Sequence, residues 1–206
     1  MTKDNGGGPE TDWDEHKSVL MESVLGKEHD MVSHAWIPFA VGGALDLYYY
    51  PNGIAGTGIA TKELATTPTE GSSNEFHRTY ELVMFTRYTL DLDEAEDQET
   101  EFGAAHWKMQ TILNLIARYS LEATLNPHDT CEFPEDMDDV GGKCLIFDDY
   151  ACISDDVVER FGLLLVLEVH RSEMEFAREE GTEELITLLK EQGYYPYSDL
   201  DRPAVA

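Results

Sequence analysis

Basic side chains are scarce in this sequence. Fourteen Lys and Arg stand against 42 Asp and Glu, a formal net charge of −28 over 206 residues. A protein that binds nucleic acid regardless of sequence needs a basic footprint to neutralise phosphates, so the composition excludes that class. The same field opposes docking on an anionic membrane. No apolar run reaches the roughly 18 residues a spanning helix needs, and Met1 to Glu10 is polar and glycine-rich. We therefore expect no transmembrane helix, no signal peptide and a cytoplasmic location. Cysteine is nearly missing. Cys131, Cys144 and Cys152 are odd in number and lack CxxC spacing, which argues against a disulfide framework and a zinc site.

Catalytic signatures are missing too. The seven histidines show no HExxH-type spacing, and no GxSxG nucleophile elbow occurs. Neither acidic block follows the D-x-[DN]-x-[DN]-G pattern of a calcium loop. Gly53-Ile-Ala-Gly-Thr-Gly-Ile-Ala-Thr-Lys62 lacks the GxxxxGK[ST] order, and Pro68 and Gly71 follow too soon for a helix. It reads as a flexible glycine turn, with an anion-binding loop as the alternative. One group resembles a ligand set: Glu168, His170 and Glu173. On a strand Glu168 and His170 share a face. Glu173 then falls in the first turn of a helix, where the macrodipole already favours an acid. A metal-dependent enzyme built on these three is an alternative reading. The main reading expects no catalytic residue, no metal and no cofactor.

What is present is a globular composition, 42% hydrophobic and 10% aromatic, of a length that suits one domain. We place that domain at residues 11–206, after a disordered tail at 1–10. Thr11 or Asp12 would cap a helix to about Gly26, with Val19, Leu20, Ser23 and Val24 on one face. Leu45–Tyr50 and Gly56–Lys62 read as extended, with a turn at Pro51-Asn-Gly53. Arg78–Leu90 is the clearest strand, apolar on both faces, so both are expected to be covered. Ala104–Ala123 reads as the best helix, with Trp107, Ile112, Leu115, Ile116 and Tyr119 at helical spacing. A long loop spans 126–143 and a short strand Cys144–Phe147. Gly162–His170 is a central strand. Helices Ser172–Glu180 and Thr182–Gln192 part at Gly181, with Ser172 and Glu175 at capping-box spacing, and Gly193 ends the second. Tyr194–Tyr197 would be an edge strand. Such interleaving predicts a single-domain α/β sandwich, a mixed β-sheet flanked by helices.

The acids are concentrated. Asp91–Glu101 holds no basic residue, and a second block spans 129–139. Acidity of this kind suits work in high salt, which screens the self-repulsion. It equally suits a surface complementary to a basic partner. The candidate contacts are Asp93, Glu94, Glu96 and Asp97 in the first block. In the second they are Glu135, Asp136, Asp138 and Asp139. Exposed tyrosines from Tyr48-Tyr-Tyr50 and Tyr194-Tyr-Pro-Tyr197 would add to them.

From about residue 43 onward the order of motifs resembles the Suppressor of fused domain family. The matching pieces begin with Gly58-Ile-Ala-Thr-Lys-Glu-Leu64 and Thr79-Tyr-Glu-Leu-Val-Met-Phe85. Trp107 then opens a helix that reaches Leu115-Ile-Ala-Arg-Tyr119. Phe161-Gly-Leu-Leu-Leu-Val-Leu-Glu-Val169, Glu173-Met-Glu-Phe-Ala177 and Gly181 to Leu189 follow. Pro196-Tyr-Ser-Asp-Leu-Asp-Arg202 closes the series as a P-x-x-D-x-x-R segment. The Gly58 segment departs from the family's usual serine-bearing form. The resemblance implies an α/β sandwich and a non-enzymatic protein-binding module. Animal members sequester Gli-type transcription factors. Stand-alone bacterial members look like immunity proteins that neutralise a cognate toxin. The expected partner is therefore a protein, and the acidity suits a basic toxin.

Overall fold

In the computed structural model, residues 9–206 are described, with side chains from Trp13 onward. The first eight residues of the expected tail lie outside them. In chain order the elements begin with α1 (Pro9–Leu25), β1 (Val32–Ser33), a 3₁₀ turn (Phe39–Val41), β2 (Leu47–Tyr50), β3 (Thr57–Ala60) and β4 (Thr79–Thr86). Then come α2 (Glu101–Ser120), β5 (Thr130–Glu132), β6 (Cys144–Ile153), β7 (Phe161–Val169), α3 (Arg171–Glu180) and α4 (Thr182–Glu191). No helix among the described residues is long and apolar enough to cross a membrane.

Two strands that are apolar on both faces set the architecture. Every residue of β4 and of β7 is buried, as central strands with both faces covered require. They pair in parallel, Val83 opposite Leu165, at the centre of a seven-stranded sheet of order β1-β2-β3-β4-β7-β6-β5. The other neighbouring pairs are antiparallel, so the sheet is mixed. Tyr80, Leu82 and Met84 face the core under α2, with Met109, Ile112, Leu113 and Ile116. Val83, Phe85, Leu163 and Leu165 face the opposite core, under α1, α3 and α4. The chain is a three-layer α/β sandwich.

The register brings several connections to one edge of the sheet. β4 and β7 end there together. β6 starts there, Cys144 opposite Val169, and β5 ends there, Glu132 opposite Cys144. The segment after β4, the β5–β6 loop and the β7–α3 junction therefore share this edge.

Several local expectations shift. Pro9 and Glu10 open α1 and so leave the expected tail. The buried face of α1 is Trp13, Lys17, Leu20, Met21 and Leu25, and Val19 points to water. The face is rotated because Lys17, polar in any tally, lies in the buried stripe. On α2 the buried positions are Phe102, Ala105, His106, Met109, Ile112, Leu113, Ile116 and Ala117, while Trp107 and Tyr119 are exposed. β6 runs beyond Phe147 because a bulge between Asp149 and Ala151 carries the strand past the aspartates, and Asp148 accepts the Tyr195 hydroxyl. β5 lies inside the loop expected at 126–143. Residues 194–197 make a single bridge, Tyr197 to Phe85, and no strand. His170, not Ser172, is the N-cap of α3, and the Glu173 carboxylate accepts its N–H. Gly193, at φ +72, takes the left-handed position after α4 as expected.

One charged side chain sits on the strand face that also carries Val83 and Phe85. Glu81 is fully buried on β4. It accepts from Thr61 Oγ1 at 2.6 Å, from the Ala65 N–H at 2.9 Å and from the Leu64 N–H at 3.1 Å, and it pairs with Lys17 Nζ at 3.3 Å. Lys17 also donates to the Ala65 carbonyl at 2.9 Å and to that of Lys62. The Trp13 indole N–H donates to the same Ala65 carbonyl. Removing one member of a buried pair leaves the other uncompensated. Lys17→Met should therefore lower the unfolding free energy by about 3 kcal/mol, read as an earlier urea midpoint. An unchanged midpoint would show that the backbone N–H groups suffice to hold Glu81.

Candidate functional site

The end of β4 is pinned by the C-terminal segment. Asp199 accepts from Thr86 Oγ1 and from the Arg87 N–H, both at 2.7 Å. Ser198 donates its N–H to the Phe85 carbonyl at 2.9 Å. From there the chain crosses to the start of α3. Arg202 grips Glu173 with two N–H···O bonds at 2.6 and 2.9 Å, and Val205 donates its N–H to the same carboxylate. Burial pushes the Glu173 carboxyl up, but Arg202 and the two backbone donors outweigh it and hold the group below its ordinary value. His170 donates its Nε2–H to the Arg202 carbonyl at 2.9 Å.

These bonds decide what the Glu168, His170 and Glu173 group does. Glu168 lies on the α2 side, between Lys108 at 3.1 Å and Lys143 at 3.2 Å. Glu173 belongs to Arg202 and His170 to the closing segment. Among the described residues no three His, Cys, Asp or Glu side chains come together as a metal site. The three side chains tie the sheet edge together. Asp199 and Arg202 of the closing motif are two of its clamps.

The acidic segment after β4 is folded onto the first turn of α2. Thr100 caps the helix by accepting the Gly103 N–H at 3.0 Å. Gly103 is required, because a Cβ there would strike the Asp97 and Glu94 carbonyls. Buried His106 donates Nδ1–H to the Ala95 carbonyl and accepts the Tyr49 hydroxyl at Nε2, both at 2.9 Å. Asp93, Glu96 and Asp97 are exposed and Glu94 is half-buried. None of the four is in an ion pair among the described residues. The second block is partly neutralised. Arg171 binds Glu132 at 2.7 Å and Glu135 at 3.1 Å, and Arg178 binds Glu132 at 3.0 Å. Asp136, Asp138 and Asp139 are exposed and form no such pair.

The two blocks thus meet at one sheet edge, the first beyond β4 and the second, from Glu135 to Asp139, between β5 and β6. The tyrosines do not join them. Tyr49 and Tyr50 are buried in the two cores, and Tyr48 lies under the Lys62 ammonium, 4.4 Å from its ring centroid. Tyr195 and Tyr197 spend their hydroxyls on Asp148 and on the Ala55 carbonyl. Sequence reasoning missed the exposed Trp36-Ile-Pro-Phe-Ala-Val41 segment, in which only Phe39 is buried. Its available signal was Pro38 inside an apolar run, closed by Gly42-Gly43.

Comparison with known proteins bears on the family and the fold. The profile of the family "Suppressor of fused protein (SUFU)" matches residues 59–203, more than half of the chain. A comparison with curated proteins finds no match. Among solved structures, the chain resembles one from a Sufu–Fu complex, with 13% identity and TM-score 0.61 over 96% of this chain and 92% of the other. It resembles a Suppressor of fused homolog from Neisseria gonorrhoeae FA 1090, with 14% identity and TM-score 0.56 over 95% and 97%. It also resembles Drosophila Suppressor of Fused, with 15% identity and TM-score 0.54, covering 88% of this chain and 47% of that one. At these identities the likeness is one of fold.

Burial holds both His106 and His77 below the ordinary imidazole value of 6.5, against the opposing pull of the Ala95 carbonyl and of Asp149 respectively. An unfolded chain takes up protons below that value while the folded imidazoles resist. Their contribution is complete above pH 6.5 and is lost as the pH falls through the lower folded values. Unfolding free energy should therefore decline as the pH falls below 6.5. The decline should be shallower in His106→Gln. An identical slope in both proteins would show that His106 does not titrate with folding.

Proposed function

The chain belongs to the Suppressor of fused family, and we propose that it is a non-enzymatic protein-binding module of the immunity type, which holds and neutralises a basic partner such as a toxin. The observation that carries this reading is the 91–101 segment. Its acids carry no counter-charge among the described residues, yet its backbone is anchored to α2 through Thr100, Gly103 and His106. A preset array of unpaired carboxylates steers and holds a basic surface at little ordering cost. Asp93, Glu94, Glu96 and Asp97 are the principal contacts. Asp136, Asp138 and Asp139 extend the array along the sheet edge, and Glu135 reaches a partner only in competition with Arg171. Similarity to a protein solved in a Sufu–Fu complex adds support for protein binding. The acids on the outer faces of α3 and α4, among them Glu175, Glu179, Glu183 and Glu184, favour a second reading, acidity as adaptation to high salt.

Affinity capture from native lysate at low and high salt tests the two. The first reading expects a stoichiometric basic protein at low salt, weakened at high salt and lost when Asp93, Glu94, Glu96 and Asp97 become amides. Retention by the amide variant would remove this segment from the contact. Empty capture at both salts, with a melting temperature rising steadily through molar salt, would favour the second reading.

A further inference from the structure

Six of the eleven large apolar side chains that the fold leaves in water gather on one side of it, and Val19, Met31, Phe76, Leu92 and Val157 stand apart from them. Trp36 is fully exposed and Val41 is 74% exposed, with Ile37 beside them. Trp107, Tyr119 and Leu121 are exposed as well. All six lie on α2, at its C-terminus or in the segment that α2 holds. Arg118 donates to the Gly42 and Gly43 carbonyls, and the Asn114 side-chain oxygen accepts the Leu45 N–H at 2.8 Å. Trp107, Thr111, Asn114 and Arg118 follow one another at four, three and four residues, one stripe of the helix. The outer faces of α3 and α4 carry Glu, Arg and Lys at the corresponding places.

The apolar segment is fixed, not loose. Gly42 donates to the Phe39 carbonyl, Gly43 to that of Pro38 and Ala44 to that of Ile37, at 2.9, 2.9 and 3.0 Å. Phe39 plugs the core under α2. Leaving tryptophans in water forgoes burial worth about 25 cal/mol per Å². A tryptophan carried on a fixed backbone is a typical anchor of protein interfaces. The chain sense places Trp36 at the C-terminal end of α2 and the 91–101 carboxylates at its N-terminal end. Twenty residues of helix separate them, about 30 Å.

The charge inventory identifies what covers this face. Of the 14 Lys and Arg, nine are committed to internal ion pairs: Lys17, Lys62, Arg87, Lys108, Lys143, Arg171, Arg178, Lys190 and Arg202. Arg118 and Arg160 serve backbone carbonyls, which leaves Lys27 and Arg78, both exposed, as the remaining cations among the residues described with side chains. A second copy of this chain would bring acids to acids. We infer that the outer face of α2, with the Trp36–Val41 segment and the 91–101 segment at its two ends, is one docking face. It takes a protein that is apolar where it meets Trp36 and Trp107 and Lys/Arg-rich where it meets Asp93 and Asp97. This rests on the protein-binding reading and adds the apolar half of the contact to it.

Selection of a displayed random peptide library on the full chain at low salt is the test. Enriched peptides should combine aromatic or aliphatic residues with Lys or Arg. Trp36→Ser and Trp107→Ser should each weaken them about 10-fold or more, with unchanged melting curves. Asp93→Asn with Asp97→Asn should flatten the salt dependence, and Glu184→Gln on α4 should do nothing. No enrichment, enrichment of acidic peptides, or binding indifferent to both tryptophan substitutions would each overturn the inference. Peptides sensitive to the amides alone would leave the protein-binding reading standing and remove this face from it. A dimer dissolved by Trp36→Ser would give the face to a second copy and overturn the inference too.

Discussion

The seating of α1 on the sheet depends on one buried carboxylate. Glu81 stands in the middle of β4, where its neighbours on the same face, Val83 and Phe85, are pure core. A carboxylate there is stable only if hydrogen bonds and a counter-charge replace its water. The fold supplies Thr61, two backbone N–H groups and Lys17. Lys17 reaches the site from α1, and Thr61 and Ala65 reach it from the chain just after β3. One group therefore joins a helix, a strand and a connection that are distant in sequence. An apolar side chain of similar size would serve stability about as well. It would not discriminate among the ways α1 could lie across the sheet. With Glu81 in place, any arrangement that separates it from Lys17 buries an uncompensated charge.

A second carboxylate performs the same work at the sheet edge. Glu173 receives Arg202, Val205 and His170, and Asp199 receives Thr86 and Arg87. The segment 197–205 is thereby strapped from the end of β4 to the start of α3, although it contributes only one bridge to the sheet. This strap explains why the Glu168, His170 and Glu173 group looked like a ligand set. Charged residues crowd a strand end there because several chain segments must be welded at that point. The welding occupies both oxygens of Glu173 and both terminal nitrogens of Arg202.

Legibility in the sequence followed the range of the interactions. β4 and β7 were readable because an apolar run on both faces has one solution in an α/β domain, a covered central strand. The helices were readable in extent but not in rotation. On α2 the aromatic Trp107 and Tyr119 outweighed His106, Gly103 and Ala105 in any hydrophobic tally, yet the latter face inward. His106 is buried because two partners satisfy both ring nitrogens. One of them, Tyr49, is 57 positions away. Lys17 misled the reading of α1 in the same manner, since its partner Glu81 is 64 positions away. The acidic block 91–101 was visible as composition. Its anchoring was not, because it depends on the fit of backbone carbonyls over Gly103. The closing Asp199 and Arg202 were located through the order of family motifs, and the structure supplies their physical task.

The corrected rotation of α2 also changes what the acidity means. Carboxylates spread over a surface raise the long-range field and the rate of encounter with a basic protein, but each exposed pair adds little to affinity. An acidic surface by itself would bind many basic proteins weakly and lose them in salt. Affinity that survives salt has to come from apolar area and fixed geometry. Trp107 on α2, with Trp36 and Val41 in the segment that α2 holds, supplies that area, and the unpaired acids of 91–101 are folded against the N-terminal end of the same helix. In such an arrangement the field selects the class of partner and the tryptophans select the individual.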